Sequence, residues 1–141
     1  MIAAITAAVV IAISKKWSLG LLIAYSFLIV ADTILIRGSY VGQHFQPQLF
    51  WSYRRPDLRM EIVGNILMFI PVGVFGGVLW RWKCVILAAG LSFAIELTQL
   101  ISCRGLFEFD DIIHNTLGAV IGVGVVMIAR WVCNKIHDIQ T

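Results

Sequence analysis

Charge is what this sequence has least of. Only 13% of its 141 residues are Asp, Glu, Lys or Arg, while 60% are hydrophobic, against about 25% charged in an ordinary soluble domain. That excludes a soluble globular protein and implies an integral membrane protein. Proline is also scarce, with three residues, as long uninterrupted helices require. The three cysteines, Cys84, Cys103 and Cys133, are scattered without CxxC or metal-ligand spacing. This excludes a disulfide framework and a zinc centre and leaves them as small apolar side chains. No basic face or nucleic-acid motif accompanies the net charge of +3, so no nucleic-acid partner is expected. GxSxG, HExxH and any nucleophile with an evident base are missing, and no cofactor is implied. There is no internal repeat, which in so short a chain speaks against a transporter built from paired halves.

What is present is hydrocarbon. The mean hydropathy is +0.89. A helix crosses a bilayer with about 20 mostly apolar residues, and segments 17–36, 62–80, 85–101 and 112–132 satisfy this. The run 2–13 is short by itself but, extended through Lys16, reaches across a thin bilayer. It has no positive flank before it, unlike a cleaved signal peptide. The expected fold is all-α, a polytopic bundle of about five spans in a single domain over 1–141. The alternative is an interfacial first segment. Lys15/Lys16, Arg81/Lys83 and Arg130/Lys135 then fall on one side, which the positive-inside bias makes cytoplasmic. Trp17, Trp80, Trp82 and Trp131 lie at the same ends, as interfacial anchors do. Arg37, Arg54, Arg55, Arg59 and Arg104 on the other side weaken the bias. The expected location is the bacterial plasma membrane, with membrane lipids as surroundings. The segment 38–59, with Pro47, Pro56 and several aromatics, reads as a loop in the headgroup layer or a lid over an outward-facing site.

The rare polar groups are not spread evenly. Glu96, Gln99, Arg104, Glu108, Asp110, Asp111, His114 and Asn115 crowd into 96–115, and ionisable groups near membrane depth mark functional sites. Alternating spans bring three helix ends to one depth: Asn65 opening one helix, Glu96 and Gln99 closing the next, and Asp110 to Asn115 opening the last. Glu96 and Gln99 are i,i+3, with Ser92 one turn below. Asp111 and Asn115 are i,i+4, and Gly118 and Gly122 continue that stripe. Asn65, Phe69 and Gly73 form another. Small residues four apart let helices approach closely in lipid. Asp110 or Asp111 suits a helix cap. Glu96 sits near a helix C-terminus, where the dipole disfavours an anion. Protonation on desolvation would neutralise it, and so would a cationic partner, with Arg104 expected to pair with Glu96 or an aspartate of the last helix. Pro71 interrupts its helix mid-span and frees the Leu67 carbonyl. His114 reads as a hydrogen-bonding group at a helix interface.

These motifs resemble the VanZ-like family of small bacterial membrane proteins. Asn65, Phe69, Pro71 and Gly73 match its first motif, Glu96 and Gln99 its second, and Arg104, Asp111, Asn115, Thr116, Gly118 and Ala119 its third. The QPQLFWSY stretch is similar to the family's outer loop. The resemblance covers about 46–124. The chain departs from it at Phe107-Glu108, where many members carry Phe-Asp. The resemblance implies a cell-envelope role, and the family's namesake is associated with teicoplanin resistance.

Three functions compete. The first is a binding protein whose outward-facing polar site takes a lipid-linked cell-wall intermediate, a phospholipid headgroup or the glycopeptide. Asn65, Gln99, Glu108, Asp110, His114 and Asn115 would be ligand contacts, and Arg104 would hold phosphate. The second is a membrane-embedded enzyme with Glu96 as general acid/base and Asp111 as base or cation ligand. The third is a structural clasp of helix ends in a protein that acts through a partner.

Overall fold

The computed structural model describes residues 15–42 and 44–140, with side chains from 17 to 42 and 44 to 135. The segment 2–13 lies outside these. Among the described residues, four helices are long and apolar enough to cross a membrane, and they account for the four long hydrophobic runs. Helix α1 is Lys15–Val30 and continues as a π-helical stretch, Ala31–Ile36. Helix α2 is Arg59–Trp80, α3 is Lys83–Ser102, and α4 is Phe109–Gln140. The chain is thus a multi-pass membrane protein built as a helical bundle.

Each boundary has a local cause. Helix α2 begins at Arg59, earlier than apolar patterning alone suggests, because the 3₁₀ turn Pro56–Leu58 leads straight into it and Glu61 occupies its first turn. An acid there is favoured by the dipole. Pro71 does not end this helix, which runs on to Trp80. Arg81 adopts φ 55° and donates its N–H to the Gly77 carbonyl, so α2 and α3 join through a two-residue turn. Cys103 is left-handed at the end of α3, which turns the chain back into α4.

The core follows from the small-residue stripes. Helices α2 and α4 cross with their backbones in near contact. A Cβ on Gly73 would meet the Ala119 carbonyl, and Cβ atoms on Gly118 and Gly122 would meet the Ile66 and Ile70 carbonyls. Phe69, Ala119 and Val123 are fully buried. Helix α3 adds Ala88 and Ile95, and α1 adds Ile29. Otherwise α1 shows mainly exposed apolar side chains such as Ile23, Phe27 and Leu28, as a lipid-facing helix does. Helices with alternating direction place Arg81, Lys83, Trp80, Trp82, Arg130 and Trp131 together at one end. There Arg130 Nη2 donates to the Val78 carbonyl (2.7 Å).

At the opposite end, the connections fold over one another. Phe45–Gln46 (β1) and Phe107–Glu108 (β2) pair in parallel, with Phe45 opposite Phe107. Phe107 is also in edge contact with Phe93 and Phe109. The α3–α4 connection is thereby clamped between α3 and the long loop.

A polar cleft at the joined helix ends

The end of α1 has a carbonyl problem. A helix terminus leaves its last carbonyls without intrahelical donors, and here they lie at the edge of an apolar bundle. Gln99 Nε2 donates to the Thr33 carbonyl (3.1 Å). Arg104 Nη1 donates to the Ile34 and Leu35 carbonyls (2.8 and 3.2 Å). Arg104 therefore closes α1, and the expected pairing with Glu96 or an aspartate of α4 is not formed. A guanidinium satisfies several partly negative carbonyls at once, and that geometry takes it away from the carboxylates. The π-helical turn that presents these carbonyls is of the kind often found at functional sites.

Beside this cap lies a cleft of about 240 Å³. All four helices line it. The α1 end contributes Asp32, Thr33 and Arg37. Helix α2 adds Glu61, Gly64, Asn65 and Met68, while α3 adds Ile95, Glu96 and Gln99, and α4 adds Asp111 and Asn115. Glu96, Gln99 and Asn115 are buried, whereas Asp32, Arg37 and Glu61 are exposed at the mouth. One Glu96 oxygen accepts the Glu108 N–H (2.9 Å). The Asn65 amide lies beside the Asp111 carboxylate. Asn115 donates from Nδ2 to Ser92 Oγ (2.8 Å), and its Oδ1 is buried without a partner. Arg37 is the cationic side chain in the lining, and its charge acts on both Glu96 and Asp111.

Of the residues singled out by sequence, Asn65, Glu96, Gln99, Asp111 and Asn115 meet in the cleft. Arg104, Glu108, Asp110 and His114 do not line it. Three of these four hold the long loop. The Asp110 carboxylate accepts the Phe50 and Ser52 N–H groups (2.6 and 3.2 Å) and Ser52 Oγ–H (2.7 Å), so it caps the loop, not its own helix. Glu108 Oε2 accepts Trp51 Nε1–H (2.9 Å). His114 Nε2 shares a hydrogen bond with Tyr53 Oη (3.0 Å), a contact to the loop and not between helices. The loop lies against the outer face of the α4 start, and none of its described residues after Arg37 lines the cleft.

Asp32, Thr33, Arg37 and Glu61 are the polar cleft residues that motif spacing missed. Two signals were available. Asp32 is an ionisable residue inside a spanning segment, and Glu61 stands one turn before Asn65 on the same face.

Glu108 carries a pH dependence. Burial pushes its carboxyl up from the usual 4.5 to about 7. The nearby charges of Asp111, Glu61 and Asp110 add to this, and the Trp51 N–H opposes it. Between these two values the folded chain keeps a proton that the unfolded chain releases, so stability falls as pH rises from 4.5 to about 7. The thermal midpoint of detergent-purified protein is expected to decline across that window and to flatten in Glu108→Gln. An unchanged slope in the variant would assign the dependence elsewhere.

A search of curated proteins and a search of solved structures found no match. The VanZ/LLP1 family model matches residues 2–130, well beyond the 46–124 stretch that carries the recognisable motifs. Match and motifs agree, and the chain belongs to the VanZ/LLP1 family.

Proposed function

We propose that this chain is a cell-envelope membrane protein whose polar cleft, on the extracytoplasmic side, binds the headgroup of an amphiphilic envelope ligand and so contributes to glycopeptide resistance. One observation carries the reading. The ends of the four described spanning helices converge on a cavity lined by Asp32, Arg37, Glu61, Asn65, Glu96, Gln99, Asp111 and Asn115. Polar groups at membrane depth are costly and persist where they serve a site. Family membership supports the envelope role and the link to glycopeptides.

The test is complementation of a deletion strain challenged with teicoplanin, with protein levels blotted in parallel. Glu96→Gln and Asp111→Asn are expected to lose most protection, by about tenfold in tolerated concentration if each removes one charge-assisted contact, at near-normal abundance. Loss of abundance in step with protection would instead assign the cleft to a structural clasp. The side of the membrane is tested through Cys103, which is exposed at the cleft end. With Cys84 and Cys133 replaced by serine, an impermeant maleimide is expected to label it on intact cells. Labelling only after permeabilisation would place the cleft in the cytoplasm.

A further inference from the structure

Charge and donor counts within the cleft define its ligand further, on the premise that the cleft binds a headgroup. Four carboxylates line it, from Asp32, Glu61, Glu96 and Asp111, against one guanidinium, from Arg37. Arg104, the other cation nearby, is committed to the carbonyls of Ile34 and Leu35. So many carboxylates around a cavity of about 240 Å³ repel one another and favour an added positive charge. A second and independent feature points the same way. Asn115 is 3% exposed, its amide nitrogen is used by Ser92, and its Oδ1 acceptor has no partner. The lining thus offers an excess of acceptors, and a buried acceptor without a donor is costly.

Depth adds an orientation. Glu96 and Asn115 are buried, while Arg37 is exposed at the mouth. The carboxylates come from four different helices, and among the described residues no group of three or more His, Cys, Asp or Glu is placed to hold a metal ion. Acceptors spread over separate walls suit a donor that makes several directed hydrogen bonds. We infer that the cleft takes a headgroup in which a primary ammonium adjoins an anionic group, the ammonium lying deep against Glu96, Asp111 and Asn115 Oδ1 and the anion meeting Arg37 at the mouth. Exposed apolar residues adjoining lining residues in the chain, Ile36 next to Arg37 and Leu67 next to Met68, would lie along the attached hydrocarbon.

Phosphatidylethanolamine has this chemistry. Phosphatidylcholine keeps the charge without N–H donors, and phosphatidylglycerol lacks the ammonium. The experiment is native mass spectrometry of the detergent-purified full chain with each lipid. Phosphatidylethanolamine is expected to be retained about tenfold better than the other two, the effect of one charge-assisted contact. Asp111→Asn is expected to erase the preference. Glu61→Gln, at an exposed position at the mouth, is expected to reduce it severalfold. Displacement of the lipid by soluble phosphoethanolamine would show that the headgroup alone is recognised, and resistance to displacement that the tails contribute. Equal retention of the three lipids, or an unchanged preference in both variants, overturns the inference. The complementation result stands apart from this outcome, so failure of the ammonium assignment and failure of the proposed function are distinguishable.

Discussion

Gly122→Val is expected to deplete the folded protein from membranes by about an order of magnitude. A Cβ at this position would meet the Ile70 carbonyl oxygen and lie 2.7 Å from the Val74 nitrogen and 2.9 Å from the Gly73 carbonyl carbon. All three are backbone atoms of a helix, which cannot rotate aside as a side chain can. Helices α2 and α4 must then separate. In lipid the bundle gains little from hydrophobic association and depends on close packing of this kind. Overpacking ordinarily costs 1–3 kcal/mol where neighbours can yield, and here about 3 kcal/mol or more is expected because they cannot. The measurement is membrane abundance together with the thermal midpoint in detergent. Gly124→Val is the control, because no atom stands within 4 Å of a Cβ there. Equal loss in both variants would place the damage in helix propensity and not in the crossing. Gly118→Val should resemble Gly122→Val, since its Cβ meets the Ile66 carbonyl on the same face.

The spans and this crossing were legible in the sequence because both depend on period. Long apolar runs need only be counted, and the stripes Asn65–Phe69–Gly73 and Gly118–Gly122 need only helical spacing. Much of the cleft was legible for the same reason, since alternating helices force Asn65, Glu96 and Asp111 to one end. The fate of Arg104 was not. Its partners are the carbonyls of Ile34 and Leu35, some seventy residues earlier. Backbone acceptors carry no mark in a sequence, whereas carboxylates do, so pattern reading assigns an arginine to the nearest acid. The cation in the cleft, Arg37, looked like an ordinary loop residue because it follows the first span. Its position depends on how the π-helical turn Ala31–Ile36 ends, and no composition signal announces that turn.

The adjacent aspartates show most directly what spacing leaves open. Asp110 and Asp111 both suit a helix start, yet successive residues on a helix point about 100° apart. Asp111 faces the cleft and Asp110 faces the loop. Asp110 is 1% exposed and accepts three hydrogen bonds from Phe50 and Ser52. It also holds Phe50 at φ 59°, a conformation that costs an L-residue roughly 1–2 kcal/mol. Asp110→Ala removes all three acceptor contacts and the constraint on Phe50. Hydrogen bonds to a charged group contribute about 1.5–3 kcal/mol each and are not additive, so a loosening of about 2–4 kcal/mol is expected, confined to the loop. Arg54 is exposed two residues beyond Ser52, and the Arg54–Arg55 bond is open to trypsin once the loop detaches, whereas Pro56 protects the bond after Arg55. Cleavage after Arg54 in detergent-purified Asp110→Ala is expected to run at least tenfold faster than in the unaltered chain, with helical content by circular dichroism preserved. Asp111→Ala is expected to leave that cleavage rate unchanged while weakening ligand retention in the cleft. Equal nicking in the two variants would mean that the two aspartates share one role, and the division between a loop anchor and a cleft ligand would have to be given up.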